Sequence, residues 1–111
     1  MKQNHKEKLN PKIKYVARNL EWDVKEYDDG VVRFGKYSLT GKRFSFTVNV
    51  KGAAREIYEY YDRFDVDNYV AMWIEMKKKG ISGVPSARRL VEDAEAISEM
   101  LKELARAVLS I

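Results

Sequence analysis

Residues 85–111 read PSARRLVEDAEAISEMLKELARAVLSI, and the interpretation of the whole chain turns on them. Leu90, Ala94, Ile97, Leu101, Leu104 and Val108 recur at spacings of 4, 3, 4, 3 and 4, which is one apolar stripe on a helix. Val91, Ala105 and Leu109 widen the stripe, as expected of a helix lying on a core rather than in a narrow coiled-coil seam. Ser86 is the expected N-cap, because its hydroxyl can accept an otherwise orphan backbone N–H. Glu92, Asp93, Glu95, Glu99 and Glu103 are expected on the outer face. The remaining elements should be those that such a helix covers.

Upstream, residues 1–9 are polar and expected to fray as a basic tail, leaving residues 10–111 as a single domain. Asn10-Pro11 is a helix start, with Asn as N-cap and Pro where its missing N–H costs nothing. Ile13, Val16, Ala17 and Leu20 share a face of that helix. Three strands follow: WDVKEY, VVRFGKY and RFSFTVNV. Asp29-Gly30 suits a two-residue turn with positive φ, and Thr40-Gly41 suits a second. Those turns pair Trp22 with Tyr37, Val24 with Gly35, Gly35 with Phe46 and Arg33 with Val48. One face then carries Trp22, Val24, Val31, Tyr37, Phe44, Phe46, Val48 and Val50, with Arg33 and Glu26 as blemishes. Gly35 would leave room for Phe46. The other face carries Lys25, Tyr27, Val32, Phe34, Lys36, Arg43, Ser45, Thr47, Asn49 and Lys51.

Two helices fill the interval before residue 85. AAREIYEYYDRF places Ala54, Ile57, Tyr61 and Phe64 on one side. Asp65 or Asp67 then caps VDNYVAMWIEMKKKG, with Val66, Tyr69, Val70, Trp73 and Met76 as its apolar face, and Gly80 past its end. The expected fold is therefore α+β. A three-stranded antiparallel sheet takes the order α-β-β-β-α-α-α, with helices packed mainly on one face.

The 111 residues carry a net charge of +4, but the charges come in blocks. Residues 31–55 hold six Lys/Arg and no acid, and residues 56–67 hold five acids and one Arg. Separate surfaces therefore carry opposite fields, or the blocks are simply solvated faces. The absence of cysteine removes disulfides, thiolate nucleophiles and zinc–cysteine sites, and points to the cytoplasm. No apolar run is long enough for a membrane span, so no membrane contact is expected. His5 is the only histidine and falls in the tail, which leaves a hydroxyl nucleophile without a held imidazole. Asp62, Asp65 and Asp67 lack the glycine and distal glutamate of a calcium loop, so helix capping accounts for them. The expectation is a protein without catalytic residues, metal or cofactor.

Three groups of side chains could bind a partner. Tyr58 and Tyr60 are left over from the helix face and could anchor a protein or cover the rim of the core. With them stand the acids Glu56, Glu59, Asp62, Asp65, Glu92 and Asp93. Arg88 and Arg89 open the final helix, where cations oppose the dipole. Either an acid elsewhere compensates them, or they join Lys77, Lys78 and Lys79 as a basic corner for an acidic or phosphate partner. The third group is the sheet face with Lys25, Tyr27, Phe34, Lys36, Arg43 and Lys51. It could hold phosphates and stack bases, or lie partly under the first helix.

The order helix–strand–strand–strand–helix over residues 10–64 resembles a double-stranded-RNA-binding domain. That domain has a lysine cluster opening its second helix; here the place reads Lys51-Gly52-Ala53-Ala54-Arg55. The chain is also similar to small proteins of bacterial phages and conjugative elements. They combine W-x-V-x-x-Y-D-D-G (Trp22 to Gly30), F-D-x-D with W-I (Phe64 to Ile74), and G-V-P-S with L-x-x-D-A-E (Gly83 to Glu95). That resemblance implies a mobile-element origin and a non-enzymatic protein that binds a host protein or ribonucleoprotein. Anti-CRISPR proteins inhibit nucleic-acid-directed defence complexes in this way. The alternative is a nucleic-acid-binding module using the basic sheet face.

Overall fold

The computed structural model describes residues 8–111. Its elements are α1 (Pro11–Asn19), β1 (Asp23–Glu26), β2 (Val31–Tyr37), β3 (Arg43–Asn49), α2 (Ala53–Arg63), α3 (Val66–Lys78) and α4 (Ala87–Leu109). The strands form one antiparallel sheet in the order β1-β2-β3. The fold is the α+β arrangement expected from the pattern.

The helices follow from local chemistry. In α4 the Ser86 hydroxyl accepts from the Arg89 N–H at 3.3 Å, and all six stripe residues are buried. Val91 and Leu109 are exposed instead, so the buried face is widened by Met100 and Ala105. Asn10 caps α1 by accepting from the Lys12 N–H at 2.9 Å. Asp65 caps α3, accepting from the N–H groups of Asp67 and Asn68. Gly80 follows the C-terminus of α3 with φ of 89°, a left-handed conformation that costs glycine little. At the end of α1 the same role falls to Glu21, whose φ is 71°. Trp22 N–H bonds to Ala17 C=O and Glu21 N–H to Arg18 C=O, the paired bonds of a Schellman ending. The chain is thereby reversed so that Trp22 enters the core. The expectation of fraying through residue 9 does not hold at Leu9. Leu9 is buried with Ile13 and Ala17, and its N–H donates to Glu26 Oε1 at 2.9 Å. His5 lies outside the described residues.

The register of β2 corrects the expected one. Both hairpins close with three-residue loops, Asp28-Asp29-Gly30 and Leu39-Thr40-Gly41. Tyr27 N–H bonds to Val31 C=O and Ser38 N–H to Lys42 C=O, each at 2.8 Å. The last residue of each loop is a left-handed glycine, Gly30 at φ 82° and Gly41 at φ 87°. Val24 therefore pairs with Phe34, Phe34 with Phe46 and Val32 with Val48. A slip of one residue inverts a strand. Here both slips fall on β2, so β1 and β3 keep their faces and only β2 turns over. Agreement between the two turn readings could not detect the error, because β2 belongs to both pairs. The physical choice is plain: this register buries Val32 and Phe34 completely and leaves Arg33 in water. The expected one would have turned Arg33, opposite Glu26, to the core side and Val32 and Phe34 to water, so burial of the apolar pair and solvation of the charge both favour the observed register.

The core lies between the sheet and the helices. Trp22, Val32, Phe34, Phe46 and Val48 meet Ile57 from α2 and Ile97, Leu101, Leu104 and Val108 from α4. Trp22 meets Phe46 edge-on at 5.7 Å, and Tyr60 stacks on Phe46 at 4.5 Å. Helix α4 packs against α1, α2 and α3; α1 also meets β1, and α2 meets β3. Among the described residues no helix is long and apolar enough to cross a membrane.

Candidate functional site

The face of the sheet turned away from the helices is uncovered. Lys25, Tyr27, Arg33, Tyr37, Arg43, Ser45, Thr47 and Asn49 are all exposed on it. Helix α1 does not cross to that side, since Ile13 and Ala17 belong to the same core as Val32 and Phe34. The turned-over β2 changes its membership. Phe34 is 0% exposed, so it cannot stack on a ligand. Lys36 sits on the core side with its Nζ 5.8 Å from the Trp22 ring. Their places are taken by Arg33 and Tyr37, which the sequence reading missed. The signal available was Arg33 itself, a charge assigned to a buried face.

The cations and rings of this face are interleaved. Lys25 Nζ lies 5.4 Å from the Tyr27 ring and the Arg33 guanidinium 5.9 Å from it. The Arg43 guanidinium lies 5.1 Å from the Tyr37 ring. Tyr27 is 37% exposed and Tyr37 65%. Tyr27 stands opposite Val31 and Tyr37 is six residues further along β2. The two rings are therefore about 20 Å apart along the strands. Gly35 lies between them, opposite Asp23 and Ser45. A Cβ there would come 2.4 Å from Arg43 Nη2. The bare glycine thus gives the Arg43 side chain room to lie across β2 and reach Asp23 Oδ2 at 3.1 Å. The guanidinium is thereby held by Asp23 and lies over the Tyr37 ring.

The other sequence-designated residues separate. Tyr58 is 41% exposed against Tyr61, whereas Tyr60 turns to the sheet, so the two tyrosines make no single patch. Burial raises the Tyr60 hydroxyl above the ordinary tyrosine range. Asp93 is 2% exposed, not on the outer face. It accepts hydrogen bonds from the Thr40 hydroxyl and from Arg89 Nε, and Arg89 Nη2 donates to the Thr40 carbonyl. Arg89 therefore has its compensating acid one turn away and is engaged in the fold. Arg88 pairs with Glu92 at 3.8 Å on the exposed side of α4. Glu59 pairs with Arg55, Asp65 caps α3, and Glu56 accepts from Asn49 N–H. Asp62 is exposed on α2, and Lys51 is exposed beyond β3. Among the described residues no three acids or histidines are placed to hold a metal ion.

Four of the designated residues do meet. Glu56, Glu59, Tyr60 and Asp65 line a trough of about 670 Å³ between β3, α2 and the start of α3. Phe44, Val48, Phe64 and Met72 supply its apolar wall.

No protein-family model, no curated protein and no solved structure matches the chain.

Proposed function

We propose that this protein is a non-enzymatic binding module that holds single-stranded nucleic acid across the uncovered face of its sheet. The supporting observation is the interleaving of Lys25, Arg33 and Arg43 with the exposed rings of Tyr27 and Tyr37. Aromatic rings on an open sheet stack bases, while neighbouring cations neutralise phosphates. Stacking needs unpaired bases, which favours single strands over a duplex. The span between the tyrosines suits a site of about four nucleotides.

The test is fluorescence anisotropy with labelled single-stranded oligonucleotides at several salt concentrations. Three phosphate contacts on a single strand give a log–log salt slope of about −2. Tyr37→Ala should weaken binding about tenfold, the loss of one stacked base. Arg33→Ala should weaken it and flatten the slope, whereas Lys36→Ala, off this face, should change little. Absence of binding at low salt, or equal effects of Arg33→Ala and Lys36→Ala, would refute the proposal.

A protein partner is the second reading, supported by the trough that gathers Glu56, Glu59, Tyr60 and Asp65. Inhibition of a host defence complex by a mobile-element protein belongs to this reading, and the resemblance in Trp22–Gly30 and Gly83–Glu95 is its support.

A further inference from the structure

The turn between α3 and α4 stands at the end of a projection. In α4, Ile97, Leu101, Leu104 and Val108 join the core under the sheet, whereas Leu90 and Ala94 are buried apart from that core. They lie in the N-terminal part of α4, which the turn from α3 holds against that helix. The β2–β3 loop is anchored here. The Thr40 hydroxyl donates to Asp93, and the Thr40 carbonyl accepts from Arg89 Nη2. Lys42, just after the loop, has its Nζ 4.4 Å from the Trp73 ring of α3. From these anchors α4 runs back to Ala87, about 9 Å, and α3 runs on to Lys78, about 7.5 Å. The part of α4 under the sheet runs the other way, from Ile97 to Val108. The paired helix ends therefore project past the end of the sheet at which Tyr37 stands opposite Arg43.

This tip carries charge of one sign. Between Glu75 and Glu92 the chain has five Lys/Arg, no acid and no aromatic residue. Lys77, Lys78 and Lys79 are exposed, and none has an ion-pair partner among the described residues. The Arg88 side chain is 91% exposed, and a pairing with Glu92 at 3.8 Å in water contributes little. Arg89 is engaged in the fold. Lysines at a helix C-terminus suit the dipole, but Arg88 at an N-terminus does not, and the turn gathers both in one place. Lys42 stands between Arg43 on the sheet and Lys77, one helical turn beyond Trp73. Cations thus continue from the sheet to the tip.

We infer that a nucleic-acid strand leaving the sheet at its Tyr37 end passes over the β2–β3 loop and is held by its phosphates on this tip. The inference rests on the proposed binding of single strands to the sheet face and extends that site in one direction. The two parts act differently. The sheet offers rings as well as cations, so it needs bases. The tip offers cations without rings, so it holds the backbone whatever the bases are. The bonds of Thr40 to Asp93 and Arg89 keep the two parts at a fixed spacing.

The probes are a single-stranded DNA of about four nucleotides and the same DNA with a tail of about six abasic nucleotides on its 5′ or its 3′ end. Fluorescence anisotropy with the full chain gives their affinities. One tail, and not the other, should tighten binding about tenfold at low salt and steepen the log–log salt slope by about 2, the effect of three more phosphate contacts. The triple variant Lys77→Ala, Lys78→Ala, Lys79→Ala should lose that gain and bind the untailed DNA nearly as the parent does. A control removes the same charge from exposed positions on and beside α1, by Lys8→Ala, Lys12→Ala and Arg18→Ala, and should keep the gain. The inference is overturned if the untailed DNA binds and neither tail adds affinity, or if both tails add equally. It is also overturned if the control loses the gain as the triple variant does, since net charge would then be the cause. Tailed DNA that binds through the three lysines when untailed DNA does not would keep the tip and remove the sheet reading. No binding of any probe overturns both.

Discussion

Replacing Asp93 by alanine should loosen the join between the β2–β3 hairpin and α4. The carboxylate accepts from the Thr40 hydroxyl, whose chain position is 53 residues earlier, and from Arg89 Nε at 3.2 Å. Thr40 Oγ1 in turn lies 2.8 Å from Ser38 Oγ, which accepts from Lys42 N–H at 3.2 Å. A hydrogen bond to a charged group contributes about 1.5–3 kcal/mol. The Thr40 bond counts nearly in full, because the Asp93 side chain is only 4% exposed. The Arg89 bond counts for much less, because that side chain is 50% exposed and regains water when released. Relief from burying the carboxylate offsets part of the loss. The net is about 2–3 kcal/mol, which for a domain of this size lowers Tm by about 10 °C. Asp93→Asn keeps an acceptor for Thr40 and should cost about half as much. Thermal melts followed by circular dichroism give the Tm, and hydrogen exchange should show earlier opening of the amides of residues 38–42. A Tm for Asp93→Ala within about 2 °C of the parent would refute the reasoning. So would hairpin amides that stay as protected as before.

Two further outcomes can be checked by the same means. Glu26 has its carboxyl held below the ordinary range by its bond with Lys14 at 2.5 Å and by the Leu9 N–H, against the opposing effect of burial. Its contribution is present above the unfolded-state pKa and is lost as pH falls through the lower folded value, so Glu26→Gln should flatten the acid limb of stability against pH. Glu21→Gly should raise stability by about 1 kcal/mol, because the left-handed φ of 71° strains any residue with a Cβ; a chemical denaturation midpoint that does not rise contradicts this.

The helical half of the molecule was legible in the chain because a helix is written in local spacing. The stripe from Leu90 to Val108, the caps at Asn10, Asp65 and Ser86, and the glycine after α3 each depend on residues within a turn or two. The sheet was legible as three strands in order. The face shown by β2 was not, because it depends on whether a loop holds two residues or three, and Asp-Asp-Gly and Leu-Thr-Gly admit both. That single degree of freedom decided that Phe34 is core and that Arg33 and Tyr37 belong to the candidate site.

Composition and periodicity by themselves thus determined the fold class, the helix limits and the stripe that roofs the core. Tertiary structure decided the rest. Asp93, read from its helix as a solvent-facing acid, is buried because Thr40 and Arg89 satisfy it. Tyr60 is turned onto Phe46, and α2, β3 and α3 meet around a trough. Each depends on a partner distant in sequence, and a partner's position becomes definite only when the layers have packed.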